Sequence, residues 1–333
     1  MTALLAFALE CSAVGAVAGI AVSVPVAALG MVIARARGLL SAGARADLLL
    51  VAGLLPTLSA VAVMAAAAAP SFGSALGLAD DHCHGHPDPL HICFLHPSRL
   101  GANLAAIGAF ALALWLWRSG ALVVGLWRAS EQVRNLERLA WPGGGVPGQA
   151  FPVAVVPASR FCHAIGLFRR RILVSGDLWH ALTNEEFAGA LAHEEAHLQR
   201  RDPLATALLA AASLFAFPFV AGLLRHWHRQ ASEEACDEAA VARVGDGAIV
   251  AAALVKVAAM HHGRHAEVFM APGFCGRGLE ERVHRLLEAR GVSVTPARWP
   301  LLASITWLVF VTMTIAQAHT IHHGAEHLLG QIF

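Results

Sequence analysis

Four long apolar stretches restrict this chain more than any other feature of it. Residues 4–34, 48–69, 101–127 and 300–318 each approach or exceed the roughly 20 residues that a helix needs to cross about 30 Å of hydrocarbon. The remaining composition agrees, because only 14% of the residues are charged, against about 25% in a soluble domain. A fifth apolar run, 204–224, is broken by Phe217-Pro218-Phe219, and proline disfavours helix in the residue before it. It is read as a helical hairpin that dips into or lies on the membrane. The first stretch does not read as a cleaved leader, since no Lys or Arg precedes Arg35 and it exceeds a signal core in length. The net charge is +1 with Lys256 the single lysine, so there is no basic footprint for nucleic acid.

Arginines set the expected orientation. Arg35, Arg37 and Arg45 follow the first span, and Arg128, Arg134 and Arg138 follow the third, whereas residues 70–100 hold only Arg99 and the tail holds none. Basic residues near span ends stay in the cytoplasm, which puts 70–100 and the tail outside. The expected fold is mainly α, with multi-span membrane helices and a small α+β catalytic domain. Residues 1–128 form three spans with a His/Cys-rich outer loop, and 129–298 a cytoplasmic domain carrying the hairpin at 204–224. Residues 299–333 form the last span and a His-rich outer tail.

Within the polar region, residues 130–140 carry apolar positions at helical spacing and read as a short juxtamembrane helix, ended by Trp141-Pro142-Gly143. Residues 152–156 and 171–174 read as the strands of a hairpin. Thr183-Asn184-Glu185-Glu186 has the capping-box form that opens a helix. That helix runs to about Arg201, where Asp202-Pro203 suits the start of another.

The helix carries His193-Glu194-Glu195-Ala196-His197. Residues four apart lie about 40° apart in rotation and about 6 Å apart along the axis, so His193 and His197 can hold one ion between them. Glu194, about 100° round from His193, can reach the reacting atoms without ligating, while Glu195 points away. Zinc-assisted peptide hydrolysis needs this set: two imidazoles and a neighbouring carboxylate to take a proton. With 19 histidines in the chain a chance match is not negligible, and the weight rests on a second element. Ser232-Glu233-Glu234-Ala235-Cys236-Asp237-Glu238 offers Glu233 as third ligand and, four residues on, Asp237 as acceptor for a ligand histidine. Glu234 with Glu238 is the competing pair.

These runs resemble the BlaR/MecR-type membrane metallopeptidases: His193-Glu194-x-x-His197 followed by Arg201-Asp202-Pro203, Glu233-x-Ala235-Cys236-Asp237, Arg171-Ile172-Leu173-Val174 upstream, and Glu281-Arg282-Val283-His284-Arg285-Leu286-Leu287 downstream. The resemblance spans roughly residues 100–290. It implies a gluzincin fold, one catalytic Zn2+, a substrate lying along an edge strand, and a cytoplasmic protein substrate such as a transcriptional repressor, cut after an external signal. Two departures stand out. The Ser-x-x-Lys of the penicillin-binding sensor domain does not occur, since Ala253 stands three residues before Lys256. The chain also has no tyrosine, which leaves His226, His228, Arg282 and His284 as candidates for oxyanion stabilisation.

The outer segments carry His82, Cys83, His84, His86, His91, Cys93 and His96 in the loop and His319, His322, His323 and His327 in the tail. They read either as an external metal site that includes His322 and His323, or as a Cys83–Cys93 disulfide among solvated histidines. The leading function is a signal-regulated membrane zinc endopeptidase. A housekeeping quality-control protease is the alternative. A metal transporter is disfavoured because Glu185, Glu186, Arg200, Arg201 and Asp202 make the motif helix too polar for a span, and a non-catalytic receptor is disfavoured by the intact Glu194.

Overall fold

The computed structural model describes residues 3–78, 92–93, 101–141, 149–157, 162–261, 277–288 and 298–332. In chain order the elements are α1 (Ala3–Arg35), α2 (Ala42–Ala75), α3 (Ala102–Arg138), β1 (Val153–Val156), β2 (Cys162–Ile165), β3 (Arg171–Ser175), α4 (Gly176–Ala181), α5 (Asn184–Arg200), α6 (Asp202–Ala212), α7 (Pro218–Val244), α8 (Gly247–His261), α9 (Arg277–Glu288), α10 (Trp299–Ala316) and α11 (Ala318–Ile332). Helices α1, α2, α3 and α10 are long and apolar enough to cross a bilayer, and the chain is a membrane protein. Much of their apolar surface faces no protein: Val32, Phe110, Trp117, Val123, Leu301 and Leu308 are all exposed. Apolar exposure on this scale needs a non-aqueous neighbour.

Two local expectations are corrected. Residues 130–138 are not a separate helix but the end of α3, because no glycine or proline stands between Leu126 and Ala140 to stop it. The strands at 153–156 and 171–175 do not form a hairpin: β1 pairs with β3 in parallel, and β2 returns antiparallel to β3, giving the order β1-β3-β2. The β2–β3 turn depends on Gly166, at φ +93°, where a Cβ would meet the Arg169 carbonyl and only glycine is unstrained. The tail after the last span is helix α11, lying back against α2.

The apolar core of the catalytic region joins Ile172 and Val174 of β3 to Leu191 and Leu198 of α5. A second core joins Val26 and Ile33 of α1 and Leu49 of α2 to Val220 and Leu224 of α7. Between α6 and α7 the chain turns against the middle of three spans. There the Thr57 hydroxyl of α2 donates to the Ala212 carbonyl. Arg118 of α3 donates to the carbonyls of Leu214 and Ala216, at 3.1 and 3.3 Å, and the Phe217 amide donates to Ser23 of α1 at 3.0 Å. A turn at this depth has its backbone groups answered by side chains, as an apolar surrounding demands.

The turn sits close to α1 because residue 19 is glycine: a Cβ there would lie 2.4 Å from the Phe215 carbonyl oxygen. Gly19→Ala should therefore destabilise by the roughly 1–3 kcal/mol typical of overpacking. Gly120→Ala, where a Cβ meets nothing within 4 Å, should not. Thermal unfolding of the two variants in detergent checks this, and equal melting would refute the close fit.

Candidate metallopeptidase site

The capping box that opens α5 is complete: the Glu186 amide donates to the Thr183 hydroxyl and the Thr183 amide to the Glu186 carboxylate. It fixes the start of a helix whose last two turns carry His193 and His197. The helix ends on Arg201, at φ 59°, a left-handed cap that swings Asp202 back beneath His197. On α7, Glu233 faces the same point. His193 Nε2 and His197 Nε2 are 3.2 Å apart, and Glu233 carboxylate oxygens lie 3.6 Å from the first and 3.9 Å from the second.

The outer nitrogens decide what this cluster can hold. His193 Nδ1 lies 3.0 Å from Asp237 and His197 Nδ1 lies 2.8 Å from Asp202. A carboxylate only accepts, so each Nδ1 carries the proton and each neutral ring turns its Nε2 lone pair toward the other. Two lone pairs and a carboxylate converging on one point need a cation among them. With donors of this kind and ligand atoms all within 4.8 Å of one another, the residues fit a zinc-type ion, each imidazole held from behind as metal ligands usually are. Burial alone would lower the His193 pKa, but the hydrogen bonds that His193 donates to Asp237 and Glu233 outweigh it and push it up to about 10. Without a metal, a proton supplies the missing charge. Cys236, 3.7 Å from Asp202, is a buried thiol whose pKa is pushed well up, first by burial and then by Asp202, so it is a poor ligand.

Glu194 stands beside the sheet, its carboxylate accepting from the Ala164 amide at 2.6 Å. Ala164 therefore points its backbone groups away from β3, and so does Cys162 two residues earlier. This edge of β2, which no other strand pairs among the described residues, thus runs past Glu194. Glu195 faces elsewhere, buried and bonded to the Ala150 amide and Arg243.

Glu234 is ion-paired with Arg37, Arg45 and Arg285 and faces away from the histidines. Arg282 binds Asp237 through two nitrogens, at 2.8 and 2.7 Å, and lies 2.9 Å from Glu233. It is thus committed to the carboxylates and not offered to an oxyanion. His228 is buried beside Asp202 and Arg200, while His226 and His284 are exposed. His226 lines a groove between α7 and α9 that reaches Glu233 and Arg282. Of the outer cluster, His82, Cys83, His84, His86, His91 and His96 lie outside the described residues. Cys93 is buried, and His322 and His323 are on α11.

Residues 157–286 match the family model described as BlaR1 peptidase M56. The chain carries an M56 peptidase domain. The M56 match takes in β2, β3, α4 to α8 and most of α9, and with them His193, Glu194, His197, Asp202, Glu233, Asp237 and Arg282, so the chain is a membrane metallopeptidase. No curated protein and no solved structure matches the chain.

His228 should make the metal-free protein acid-sensitive. Burial lowers its pKa from 6.5 to about 4. As pH falls below 6.5 the unfolded chain takes up a proton that the folded chain refuses until about pH 4. Stability conferred above that window should fall across it by about 3 kcal/mol. Melting of the metal-free protein between pH 7 and pH 4, compared with His228→Gln, checks this, since the variant should lose that part of the slope.

Proposed function

We propose that this protein is a zinc endopeptidase that cuts a cytoplasmic protein in response to a signal, with a transcriptional repressor the class of substrate that fits best. The observation that carries the reading is the convergence of His193 Nε2, His197 Nε2 and Glu233 beside Glu194 and the edge of β2. His193, His197 and Glu233 would hold the zinc, which supplies Lewis acidity and an activated water near neutral pH. Asp237 and Asp202 keep the two imidazoles in the ligating tautomer, and Arg282 balances the charge of Asp237 and Glu233. The β2 edge presents the amide and carbonyl of Cys162 and Ala164 to an extended peptide, which can add to the sheet as a further strand. Glu194 leaves the Ala164 amide to that peptide and acts as the base that receives a proton and returns it to the leaving amine.

The cytoplasmic placement rests on Arg35, Arg37, Arg45, Arg128, Arg134 and Arg138, which lie near span ends. On this reading the α6–α7 turn is a re-entrant segment and both ligand helices share one side. Cysteines introduced at Arg201 and Gln230 should react only with reagents that enter the cytoplasm, and one at His327 with impermeant reagents. Arg201 and Gln230 on opposite sides would separate the ligands by a bilayer and refute this arrangement. For substrate class, N-terminal proteomics of cells expressing the protein or Glu194→Gln should show new termini in cytoplasmic proteins with the former only. New termini confined to exported proteins would reverse the orientation, and none at all would remove the endopeptidase reading.

A further inference from the structure

We propose that His322, His323 and Glu326 of α11 form a second metal-ion site, for zinc or a similar borderline cation, at the end of α2 remote from the catalytic helices. His322 is 1% exposed. Its Nδ1 lies 2.7 Å from the Ala67 carbonyl oxygen of α2, which can only accept, so Nδ1 carries the proton and the neutral ring has its lone pair on Nε2. That Nε2 lies 3.1 Å from a Glu326 carboxylate oxygen. A lone pair facing a carboxylate at this distance, away from water, needs a positive charge between them.

The second histidine is arranged to share that ion. His323 Nδ1 lies 3.4 Å from the other Glu326 oxygen, and its Nε2 lies 3.1 Å from His319 Nε2. When His323 donates to His319, its Nδ1 turns a lone pair toward Glu326 as well. One atom each from His322, His323 and Glu326 then lie within 4.8 Å of one another, two imidazoles and a carboxylate of the type that suits zinc. Each is held from behind: His322 by the Ala67 carbonyl, His323 by His319, and Glu326 by the Ile92 amide at 3.1 Å. The catalytic pair is built on the same plan, one nitrogen of each ring fixed by an acceptor so that the other points inward, and such supports are what orient metal ligands.

The location makes the site distinct from the catalytic one. Ala67 follows Asp47 by twenty residues on α2, about 30 Å at 1.5 Å per residue, and Asp47 is bonded to the catalytic helix through Arg200. An ion here would join α11, α2 and the segment at Ile92–Cys93, where Ser71 of α2 also donates to the Ile92 carbonyl at 3.0 Å.

The test uses the full-length protein in detergent carrying His193→Ala and His197→Ala, so that the outcome does not depend on the catalytic site. Zinc retained at equilibrium against a buffered zinc solution is counted, and Co2+ uptake is followed by its visible absorption. In this background Glu326→Gln, which keeps an acceptor for the Ile92 amide, should remove one equivalent of zinc and change the cobalt spectrum. His319→Ala, at an exposed position, should weaken that equivalent by about 10–100-fold, as loss of a supporting partner does. Should Glu326→Gln not give a monodisperse protein, His319→Ala decides alone. Unchanged zinc affinity and an unchanged cobalt spectrum in His319→Ala would overturn the proposal and leave His322 and Glu326 bridged by a proton.

Discussion

Glu194→Gln should reduce peptide hydrolysis by about a hundred- to ten-thousand-fold, the usual contribution of a positioned general base, while leaving the fold and metal content as they are. The glutamine keeps the size of the side chain, and its carbonyl oxygen can still accept from the Ala164 amide. The proposed ligands His193, His197 and Glu233 are untouched. Single-turnover cleavage, metal analysis and circular dichroism on one preparation check all three parts. Cleavage at the unmodified rate would mean that another group moves the proton. A loss of bound metal would mean that Glu194 belongs with the ligands.

The adjacent glutamates of α7 should fail in opposite ways. Glu233→Ala should empty the catalytic metal site, since it removes the only carboxylate near both Nε2 atoms among the described residues, and it leaves Arg282 still paired with Asp237. Glu234→Ala should keep the metal and cost stability, because Arg45 stays buried with its partner gone. Breaking a buried pair by deleting one member costs about 3–5 kcal/mol. Metal analysis and thermal unfolding of both variants give a two-by-two outcome, and metal loss from Glu234→Ala with retention in Glu233→Ala would exchange their roles.

The parts of this site that could be read in the sequence are those whose partners lie within a helical turn or two. His193 and His197 are four apart, Glu233 and Asp237 are four apart, and the Thr183–Glu186 box closes over three residues. In the sequence Asp202 reads only as a helix start, although its carboxylate holds His197. The reason is the left-handed Arg201, a conformation that arginine does not advertise and that alone brings residue 202 back under residue 197. In the sequence Arg282 reads as an oxyanion candidate because its partner Asp237 is 45 residues away in α7. Strand β2, Cys-His-Ala-Ile, has neither the alternation nor the β-branched content that marks a strand, and without it the parallel pairing of β1 with β3 looked like a hairpin. The tail was legible as histidine-rich but not as a helix, because its apolar positions are few and its packing against Ala67 is non-local.

One pair of residues bears on what can be cut away from this protein. At the start of α2, Arg45 grips Glu234 on one ligand helix, while Asp47 grips Arg200 on the other and takes the Arg298 amide at the head of α10. Trp299 adds a hydrogen bond to the Arg200 carbonyl. The two helices that carry His193, His197 and Glu233 are thus spaced by the stub of a membrane span as much as by each other. A gene fragment trimmed to the peptidase domain would lose that spacer and leave Glu234 with Arg285, and Arg200 with Asp202, as the remaining charge partners. The catalytic unit of this protein therefore extends beyond residues 157–286 to the start of α2 and the head of α10.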